Sequence, residues 1–340
     1  MSISLVEIGI LLAGTAGVWL GSGWLESAAE DLSAYYGLPE VVQGSVVTAV
    51  GSSFPDLATV VVAAVFANSI DLGVGAIVGS AIFNILVIPS LAGLFAKGDI
   101  QSNRTLVYKE AQFYMLAVSV LVITFSMAVI YNPVASTDII DGAITRPLAL
   151  IPLAMYGLYL FIQMQDTADH DADPDDAEGI NVGEQWTDLL VALVLILVAV
   201  HGLVHSVEVI GTELGVPEFI MGVTILAGAT SLPDALVSVR AARDGRGVAS
   251  LANVLGSNTF DLLVAIPVGV LIIGSKPINF EMAVPMFAVL TLATIMLFTT
   301  LRTDLELSTP EAVLLLGTSV VFVAWVVLET VSTAVDFLPN

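Results

Sequence analysis

GLPEVVQGSVVTAVGSSFPD at residues 37–56 recurs as GVPEFIMGVTILAGATSLPD at residues 215–234. Eight of these twenty positions are identical, and the alignment needs no gap. The match resumes further along the chain, where GSAIFN at 79–84 pairs with GSNTFD at 256–261. Each half of the chain therefore carries the same pair of segments, with polar residues at corresponding places.

The chain around these repeats is too apolar for a soluble protein. Of its 340 residues, 57% are hydrophobic and only 12% are charged, which is about half the charged share of a typical soluble domain. A helix that crosses the hydrocarbon core needs roughly 20 apolar residues. Ten nearly charge-free runs meet this need, at approximately 4–25, 38–66, 72–96, 109–131, 147–165, 187–208, 216–241, 247–274, 282–301 and 310–333. We therefore predict an all-α polytopic membrane protein with ten transmembrane helices.

The basic residues predict the orientation of these helices. With ten helices both termini lie on the same side, and placing them outside puts seven of the nine Lys and Arg in inner loops. Positive residues are enriched in inner loops, so we predict a multi-pass plasma-membrane protein with both termini outside. The inner set is Lys97, Arg104, Lys109, Arg240, Arg243, Arg246 and Arg302, and the outer set is Arg146 and Lys276.

Five helices per half is an odd number, so the second copy must enter the membrane from the opposite side. This is the inverted repeat of secondary transporters, whose sites lie near the midplane between the two copies. The predicted organisation is a first five-helix repeat at 1–164, an acidic cytoplasmic linker at 165–187 and a second repeat at 188–340. The linker has alternating aspartates but lacks the glycine turn and closing glutamate of an EF-hand. A flexible solvated linker is therefore preferred over a regulatory cation site.

The net charge of −23, from 9 Lys and Arg against 32 Asp and Glu, argues against a nucleic-acid partner. It also argues against electrostatic attachment to anionic lipid. Most of the acids lie outside the apolar runs, which is typical of a surface kept hydrated in high salt, so we predict a halophilic source. Glu26, Glu30 and Asp31 are expected to form a solvated end at the inner surface.

A few acids lie inside the apolar runs. Asp56 and Asp234 end the long repeat, and Asp261 ends the short one, where the first copy has Asn84. An ionisable group at the bilayer centre costs at least about 2.5–3.5 kcal/mol on insertion scales, and no Lys or Arg occupies the interior of any run. A bound cation is the simplest compensation. Protonation of the carboxylates is the alternative.

The residues beside these acids offer oxygen atoms only. Pro55 and Pro233 lack a backbone N–H, so we expect them to interrupt their helices and free carbonyls in the preceding turn, including those of Ser52 and Thr230. Cysteine is absent from the chain. Oxygen ligands suit a hard cation such as Ca²⁺ and argue against zinc or copper. The residues of the two motif pairs with a hydroxyl group in both copies are Ser52, Ser53, Ser80, Thr230, Ser231 and Ser257.

At these motifs the chain resembles the cation/Ca²⁺ exchanger superfamily, and in particular the prokaryotic sodium/calcium exchangers. GSSFPD with GSAIFN, and ATSLPD with GSNTFD, correspond to the two alpha-repeats of that superfamily. The resemblance implies a secondary active antiporter that exchanges Na⁺ for Ca²⁺ by alternating access, and not an enzyme. The expected partners are then the lipid bilayer and the transported cations, with no cofactor and no protein partner.

The resemblance also implies roles for single residues. Asp56 and Asp234 take the places of the two acidic Ca²⁺ ligands, and the backbone carbonyls of Ser52 and Thr230 complete that site. Asn84 and Asp261 would flank its centre. The Na⁺ positions match the side chains of Ser53, Ser80, Ser231 and Ser257 and the carbonyls of Ala49 and Ala227.

The chain departs from the family at its two central acids, since glutamate is usual where Asp56 and Asp234 stand. The potassium-dependent branch has aspartate in its second repeat, so K⁺-dependent Na⁺/Ca²⁺ exchange stays an alternative. A proton/Ca²⁺ exchanger would use the same acids, although the serine-rich motifs favour Na⁺ because protons need no hydroxyl ligands. In an intramembrane aspartyl protease two aspartates share a proton. The YD and GxGD patterns of such enzymes do not surround these residues, so this is the most remote alternative.

Overall fold

The structure, a computed structural model, describes residues 5–37, 47, 49–134, 141–166 and 180–331. Helices make up most of this part of the chain, as its apolar composition predicts. The first six are α1 (Leu5–Tyr35), α2 (Ala49–Val62, continued by the π-helical turn Ala63–Ala67), α3 (Ile70–Phe95), α4 (Leu106–Tyr131), α5 (Arg146–Asp166) and α6 (Val182–Leu214). The others are α7 (Glu218–Thr230), α8 (Leu232–Arg243), α9 (Gly247–Ile273), α10 (Phe280–Arg302) and α11 (Thr309–Val331).

Among the described residues, nine helices are long and apolar enough to cross a membrane, and there are ten spans if α7 and α8, which meet at a bend of 45°, count as one. This confirms the predicted all-helical membrane architecture. Two helices extend well beyond their apolar runs, because α1 continues to Tyr35 and α6 already begins at Val182. Hydropathy marks only the apolar part of a helix, whereas Ala, Leu and Glu favour helix in polar flanks as well.

The predicted acidic linker falls for the most part outside the described residues. Its last six residues, 182–187, belong to α6. Asn181 caps this helix, since its side chain accepts a hydrogen bond from the backbone N–H of Glu184, an arrangement that stabilises helix starts. The division into two five-helix repeats stays a prediction.

α1 packs lengthwise on α6 through glycines. A Cβ at Gly14 would lie 2.8 Å from Leu203, and one at Gly21 would lie 2.7 Å from Ile196. The residue numbers run in opposite directions along this contact, so the two helices are antiparallel. They are the first helices of the two predicted repeats, and an inverted relation between those repeats requires this arrangement.

Two short antiparallel sheets join the halves of the chain at opposite ends of the molecule. Strand β1 (Ile100–Gln101) pairs with β4 (Glu306–Leu307), with Ile100 opposite Leu307. Strand β2 (Asp141–Ile144) pairs with β3 (Lys276–Asn279), with Asp141 opposite Asn279. The starts of α3 and α7 lie at the same end as the second sheet, where Ser69 donates a hydrogen bond to Glu218.

The basic residues separate between these two ends. At one end Arg302 lies 5.7 Å from the centre of the Tyr108 ring, near the β1–β4 sheet. At the other, Lys276 donates to Asn68 (2.9 Å) and Arg146 to the Leu271 carbonyl (3.1 Å). We call the first the basic end. It carries Lys97, Arg104, Lys109, Arg240, Arg243, Arg246 and Arg302. That this end faces the cytoplasm stays a prediction.

Helix α3 occupies the centre of the molecule, because 89% of its most apolar stretch is buried, against 22% for α1, α5 and α11. Its glycines allow this position. A Cβ at Gly75 would overlap the backbone of Phe219, and one at Gly79 would overlap the backbone of Val223. Helix α3 therefore lies directly on α7, and Ser80, which follows Gly79, is brought to the other half of the chain.

Candidate cation site

Polar side chains from both halves of the chain meet at one buried point beside this contact. Asp56 of α2 is 1% exposed, and Asp234 of α8 and Asp261 of α9 are fully buried. The other predicted side chains are buried as well, namely Ser52, Ser53, Ser80, Asn84, Thr230, Ser231 and Ser257. Ala49 begins α2, but its side chain lies outside the described residues.

Asp234 owes its position to the bend between α7 and α8. Pro233 stands in the first turn of α8, where its missing N–H costs no hydrogen bond, and the chain turns at Ser231 just before it. Asp234 therefore lies in the first turn of a helix, where the helix dipole favours a negative charge.

The expected interruption of α2 is wrong. This helix runs from Ala49 to Val62 straight through Pro55. A proline removes only its own N–H, so a single carbonyl four residues earlier, that of Gly51, loses its helical partner. Within a membrane bundle neighbouring groups can satisfy such a carbonyl. The same S-x-P-D motif thus gives a continuous helix in one copy and a bend in the other.

Hydrogen bonds link the short motif to the long motif in the same way in both copies. Ser80 donates to Oδ2 of Asp56 (2.9 Å), and Ser257 donates to Oδ1 of Asp234 (3.0 Å). These are equivalent residues of the repeat. The two aspartates are therefore held by one hydroxyl each from the neighbouring helix.

Other contacts cross from one half of the chain to the other. The Oγ atoms of Ser80 and Ser231 are 2.8 Å apart, and those of Ser52 and Ser257 are 3.1 Å apart. The serines therefore join both carboxylates into a single cluster. Any group that binds one aspartate also affects the serines of the other half.

Asn84 and Asp261 occupy equivalent positions but act differently. Asn84 Nδ2 donates to Oδ2 of Asp234 (3.1 Å) and to Oδ1 of Asn258 (3.0 Å). Asp261 lies beside Asp56 and interacts with it electrostatically, but an ionised carboxylate has no hydrogen to donate. The first copy thus gives an amide donor to the acid of the other copy, whereas the second places a third carboxyl group beside Asp56.

Several buried oxygen atoms of this cluster have no hydrogen-bond partner within the described residues. These atoms are Oγ of Ser53, Oδ1 of Asp56, Oδ1 of Asn84 and both carboxylate oxygens of Asp261. Buried polar atoms are almost always paired, and each one left unpaired costs about 1–3 kcal/mol or more. All five atoms can accept, so each of them is a potential cation ligand.

The ligand set fits a hard cation better than a transition metal. Within the described residues no group of three or more His, Cys, Asp or Glu side chains is placed to hold a metal. The carboxylates of the cluster lie beside hydroxyl and amide oxygens, and Ca²⁺ and similar cations accept such a mixed shell.

The carbonyl of Ala227, one of the predicted Na⁺ ligands, is engaged in this conformation. It accepts a hydrogen bond from the Ser231 N–H (3.0 Å) and another from the Thr230 hydroxyl (3.3 Å). A carbonyl oxygen has two lone pairs. A cation could reach this oxygen only if one of the two donors moved away.

Sequence reasoning missed two residues of the cluster. Asn258 accepts from Asn84, donates to the Ala81 carbonyl (3.1 Å) and lies 3.2 Å from the Tyr114 hydroxyl. It belongs to the GSNTFD motif, but its counterpart in the first copy is Ala81, so a search for positions polar in both copies passes over it. Tyr114 is on α4, outside both repeated motifs, so the repeat gives no indication of it.

A π-helical turn begins at Asp261 and runs to Ala265, and another, Gly222–Leu226, precedes the last turn of α7. Such turns insert an extra residue into a helix and are frequent at functional sites. Here they lie in the two helices of the second half that supply Asp261 and Thr230. The irregular backbone of the second copy is therefore concentrated at the cluster.

The chain is similar to known membrane proteins over most of its length. The inner membrane protein YrbG of Escherichia coli strain K12 is 28% identical over 281 residues, which is 79% of this chain and 80% of that protein. An uncharacterized membrane protein of Methanocaldococcus jannaschii is 26% identical over 283 residues, or 82% of this chain and 86% of the relative. Sodium/potassium/calcium exchanger 4 of Homo sapiens is 43% identical over 79 residues, 23% of this chain and 13% of the relative.

The fold is also similar to a solved structure. The sodium-calcium exchanger NCX_Mj, soaked with 10 mM Na⁺ and zero Ca²⁺, matches with a TM-score of 0.64 and 21% identity, over 94% of this chain and 98% of that one. At this identity the likeness concerns the fold alone. The family model described as sodium/calcium exchanger protein matches residues 6–165 and 185–328, so that both halves are covered. The chain therefore belongs to the sodium/calcium exchanger protein family.

Proposed function

We propose that the chain is a secondary active antiporter that exchanges Na⁺ for Ca²⁺ across the membrane by alternating access. The observation that carries this proposal is the cluster of buried, unpaired acceptor oxygens between the two halves, at Ser53, Asp56, Asn84 and Asp261. Membership of a family of cation/Ca²⁺ exchangers supports the reaction class. Transport of cations needs no chemical step, so no catalytic residue is assigned.

Ca²⁺ is held between Asp56 and Asp234. Two carboxylates balance its charge, and their position on different halves makes the bound ion a bridge between the repeats. The backbone carbonyls of Ser52 and Thr230 complete the shell, since Ca²⁺ takes six to eight oxygen ligands. Ser52 lies inside the continuous α2, so its carbonyl binds the ion through its second lone pair. In the present conformation Ser80 donates a hydrogen bond to one oxygen of Asp56, and Ser257 donates one to an oxygen of Asp234. These hydrogen bonds keep both carboxylates oriented.

Na⁺ competes with Ca²⁺ for the same two acids. Its sites combine these carboxylates with the side chains of Ser53, Ser80, Ser231 and Ser257 and with the carbonyls of Ala49 and Ala227. The hydroxyls that bond Asp56 and Asp234 must turn their oxygens toward a cation to bind it. The load is thus either one Ca²⁺ or several Na⁺, and never both.

This competition couples the two fluxes. A carboxylate enclosed in the membrane interior without a counter-charge is costly. The protein therefore changes between its inward- and outward-facing states when the site is loaded, and does so only slowly when the site is empty. Net movement of one cation then requires the return of the other.

A second candidate is K⁺-dependent Na⁺/Ca²⁺ exchange, and Asp261 favours it. Both of its carboxylate oxygens are without a hydrogen-bond partner in the described part of the chain. Together with Asp56 and Asp234 it supplies three negative charges, which balance one Ca²⁺ and one monovalent cation. The local match to human sodium/potassium/calcium exchanger 4 supports this candidate.

The test is ⁴⁵Ca²⁺ uptake into Na⁺-loaded proteoliposomes, with external Na⁺ replaced by choline and internal pH clamped. We expect uptake that requires internal Na⁺ and is lost in Asp56→Asn and Asp234→Asn. Asp304→Asn makes the same change at an exposed turn and should transport normally. A requirement for K⁺ as well would establish the second candidate. Uptake driven only by a pH gradient, or no uptake at all, would overturn the proposal.

A further inference from the structure

A cavity of about 610 Å³ lies at the basic end, between α1, α4, α8 and α9. Arg240 and Arg246 line it together with three carboxylates, those of Glu26, Glu30 and Glu110. None of these residues belongs to the cation site described above. The cavity therefore needs an explanation of its own.

On each of three helices, a residue that lines this cavity lies one helical turn from a residue of the cation site. Val237 lines the cavity and lies three residues after Asp234 on α8. Asn253 lines it as well, and it precedes Ser257 by four residues on α9. Glu110 precedes Tyr114 by four on α4. One turn of helix advances about 5.4 Å, so a single layer of side chains separates the cavity from the site.

Helix α1 closes the remaining side through Glu26. A Cβ at Gly51 would lie 3.6 Å from the Glu26 Cα, so α1 contacts α2 at the residue before Ser52. The Glu26 carboxylate also interacts electrostatically with Asp234 and Arg240. Glu26 was expected at a solvated helix end, but it is half-buried in the structure and lies between the cavity and the site.

An unpaired polar atom marks the same place. Asn253 is 5% exposed, and its Nδ2 donates to Ser238 (3.2 Å). Its Oδ1 is buried without a hydrogen-bond partner among the described residues. An amide oxygen and carboxylates at the inner end of a cavity are ligands for a hard cation.

The two deep carboxylates are not equivalent. Glu110 accepts hydrogen bonds from the Tyr159 hydroxyl (2.9 Å) and from Gln163 (2.8 Å), which fix its position on the far side of the cavity from α1. Glu26 is the acid that adjoins both the cavity and α2. Arg240 and Arg246 repel cations at the cavity wall. A carboxylate at the inner end of the cavity is therefore needed to attract a cation beyond the two arginines.

We propose that this cavity is the route by which cations reach the site from the basic end, and that Glu26 receives a Na⁺ or Ca²⁺ ion there and passes it to Asp234. Glu26 is thus a positioning residue on the access route and not a ligand of the central site. The identity of the transported ions, Na⁺ and Ca²⁺, comes from the proposed function, on which this inference rests.

The first test concerns the cavity alone and does not depend on transport. The chain has no cysteine, so single cysteines can be labelled without background. A membrane-impermeant cationic thiol reagent, applied at the basic end of reconstituted protein, should modify Val237→Cys and be slowed by Ca²⁺. Leu236→Cys is the matched control, because Leu236 is exposed on the same helix and does not line the cavity. Failure to label Val237→Cys, or equal labelling of both, would overturn the route.

The second test concerns Glu26 and uses ⁴⁵Ca²⁺ presented at either end. Glu26→Gln should raise the KM for Ca²⁺ at the basic end by about tenfold, the order expected for one charge acting over roughly 10 Å in a partly hydrated site. The KM at the opposite end should not change, and Glu26→Asp should restore the wild-type value.

Glu30→Gln provides the comparison, because it removes the same charge from the same cavity at an exposed position. We expect it to change the KM by less than about twofold, since a solvated charge is screened. Equal effects of Glu26→Gln at both ends, or equal effects of the two variants, would refute the relay. If the wild-type protein carries no Ca²⁺, the proposed function fails, while the labelling test still reports on the cavity.

Discussion

Asp261 is acidic, whereas Asn84, its counterpart in the first half of the chain, is neutral. Asn84 donates a hydrogen bond to Asp234, whereas Asp261 adds a carboxylate beside Asp56. No Lys or Arg lies inside the apolar runs to offset the buried acids. Like charges in a buried cluster repel, so the cation-free protein carries a local destabilisation at this residue.

Asp261→Asn should therefore stabilise the cation-free protein. The variant removes one negative charge and supplies Asp56 with the donor that Asn84 supplies to Asp234. A gain of about 1–2 kcal/mol corresponds to about 1–3 °C in Tm for a chain of this size. Thermal unfolding in a choline buffer free of Na⁺, K⁺ and Ca²⁺ measures it, with Asp304→Asn as the surface control. An unchanged or lower Tm for Asp261→Asn would contradict this account.

Binding of Ca²⁺ should also be visible as a gain in stability. A ligand that binds only the folded state at 100 times its Kd stabilises that state by about 2.7 kcal/mol. We expect the wild-type Tm to rise with Ca²⁺ and the rise to be lost in Asp234→Asn. The same titration with Mg²⁺, which demands tighter octahedral geometry, serves as the ion control. A full Ca²⁺ response in Asp234→Asn would remove this residue from the site.

At the scale of elements, the crossing of α3 and α7 positions the hydroxyls of the cluster. A Cβ at Gly79 would overlap the backbone of Val223, and the next residue, Ser80, is 2.8 Å from Ser231. The two helices can lie this close only because Gly79 has no side chain. The close approach of the two backbones at Gly79 and Val223 thus determines the distance between Ser80 and Ser231.

Gly79→Ala should separate these helices and weaken the site. We expect a loss of about 1–3 kcal/mol of stability, typical of an overpacked contact, together with a lower Ca²⁺ affinity. Gly228→Ala is the matched control on α7, because a Cβ there would meet nothing within 4 Å. Size-exclusion profiles after heating, with and without Ca²⁺, distinguish the two variants. Equal behaviour would show that the crossing tolerates a methyl group.

The elements also show what sequence could predict and what it could not. Hydropathy located the ten spans, and the repeat located Asp56 and Asp234, because both signals are local in the chain. The same S-x-P-D motif predicted two helix breaks, but Pro55 lies inside a continuous α2. Whether a proline bends a helix depends on neighbours that can satisfy the freed carbonyl. Tyr114 was missed because its contact with Asn258 joins helices that are distant in sequence, and Asn258 was missed because its counterpart in the first copy is the apolar Ala81.

At the scale of the whole molecule, the Lys and Arg of the described residues are distributed unequally between the two ends. If the two repeats are inverted, as the sequence predicts, similar surfaces are buried in either orientation, so helix packing does not select one. The basic end holds seven of the nine Lys and Arg, which predicts that it is cytoplasmic. The acidic excess, a net charge of −23, leaves a halophilic source as a prediction.

This orientation can be tested with single cysteines in a chain that has none of its own. Asp244→Cys places a thiol in an exposed turn of the basic end, and Ser275→Cys places one at the opposite end, also exposed. An impermeant thiol reagent applied to intact cells should label Ser275→Cys and leave Asp244→Cys unlabelled. After permeabilisation both should react, which controls for expression and thiol reactivity. The reverse pattern would put the basic end outside, and Glu26 would then draw in cations from the external medium instead of the cytoplasm.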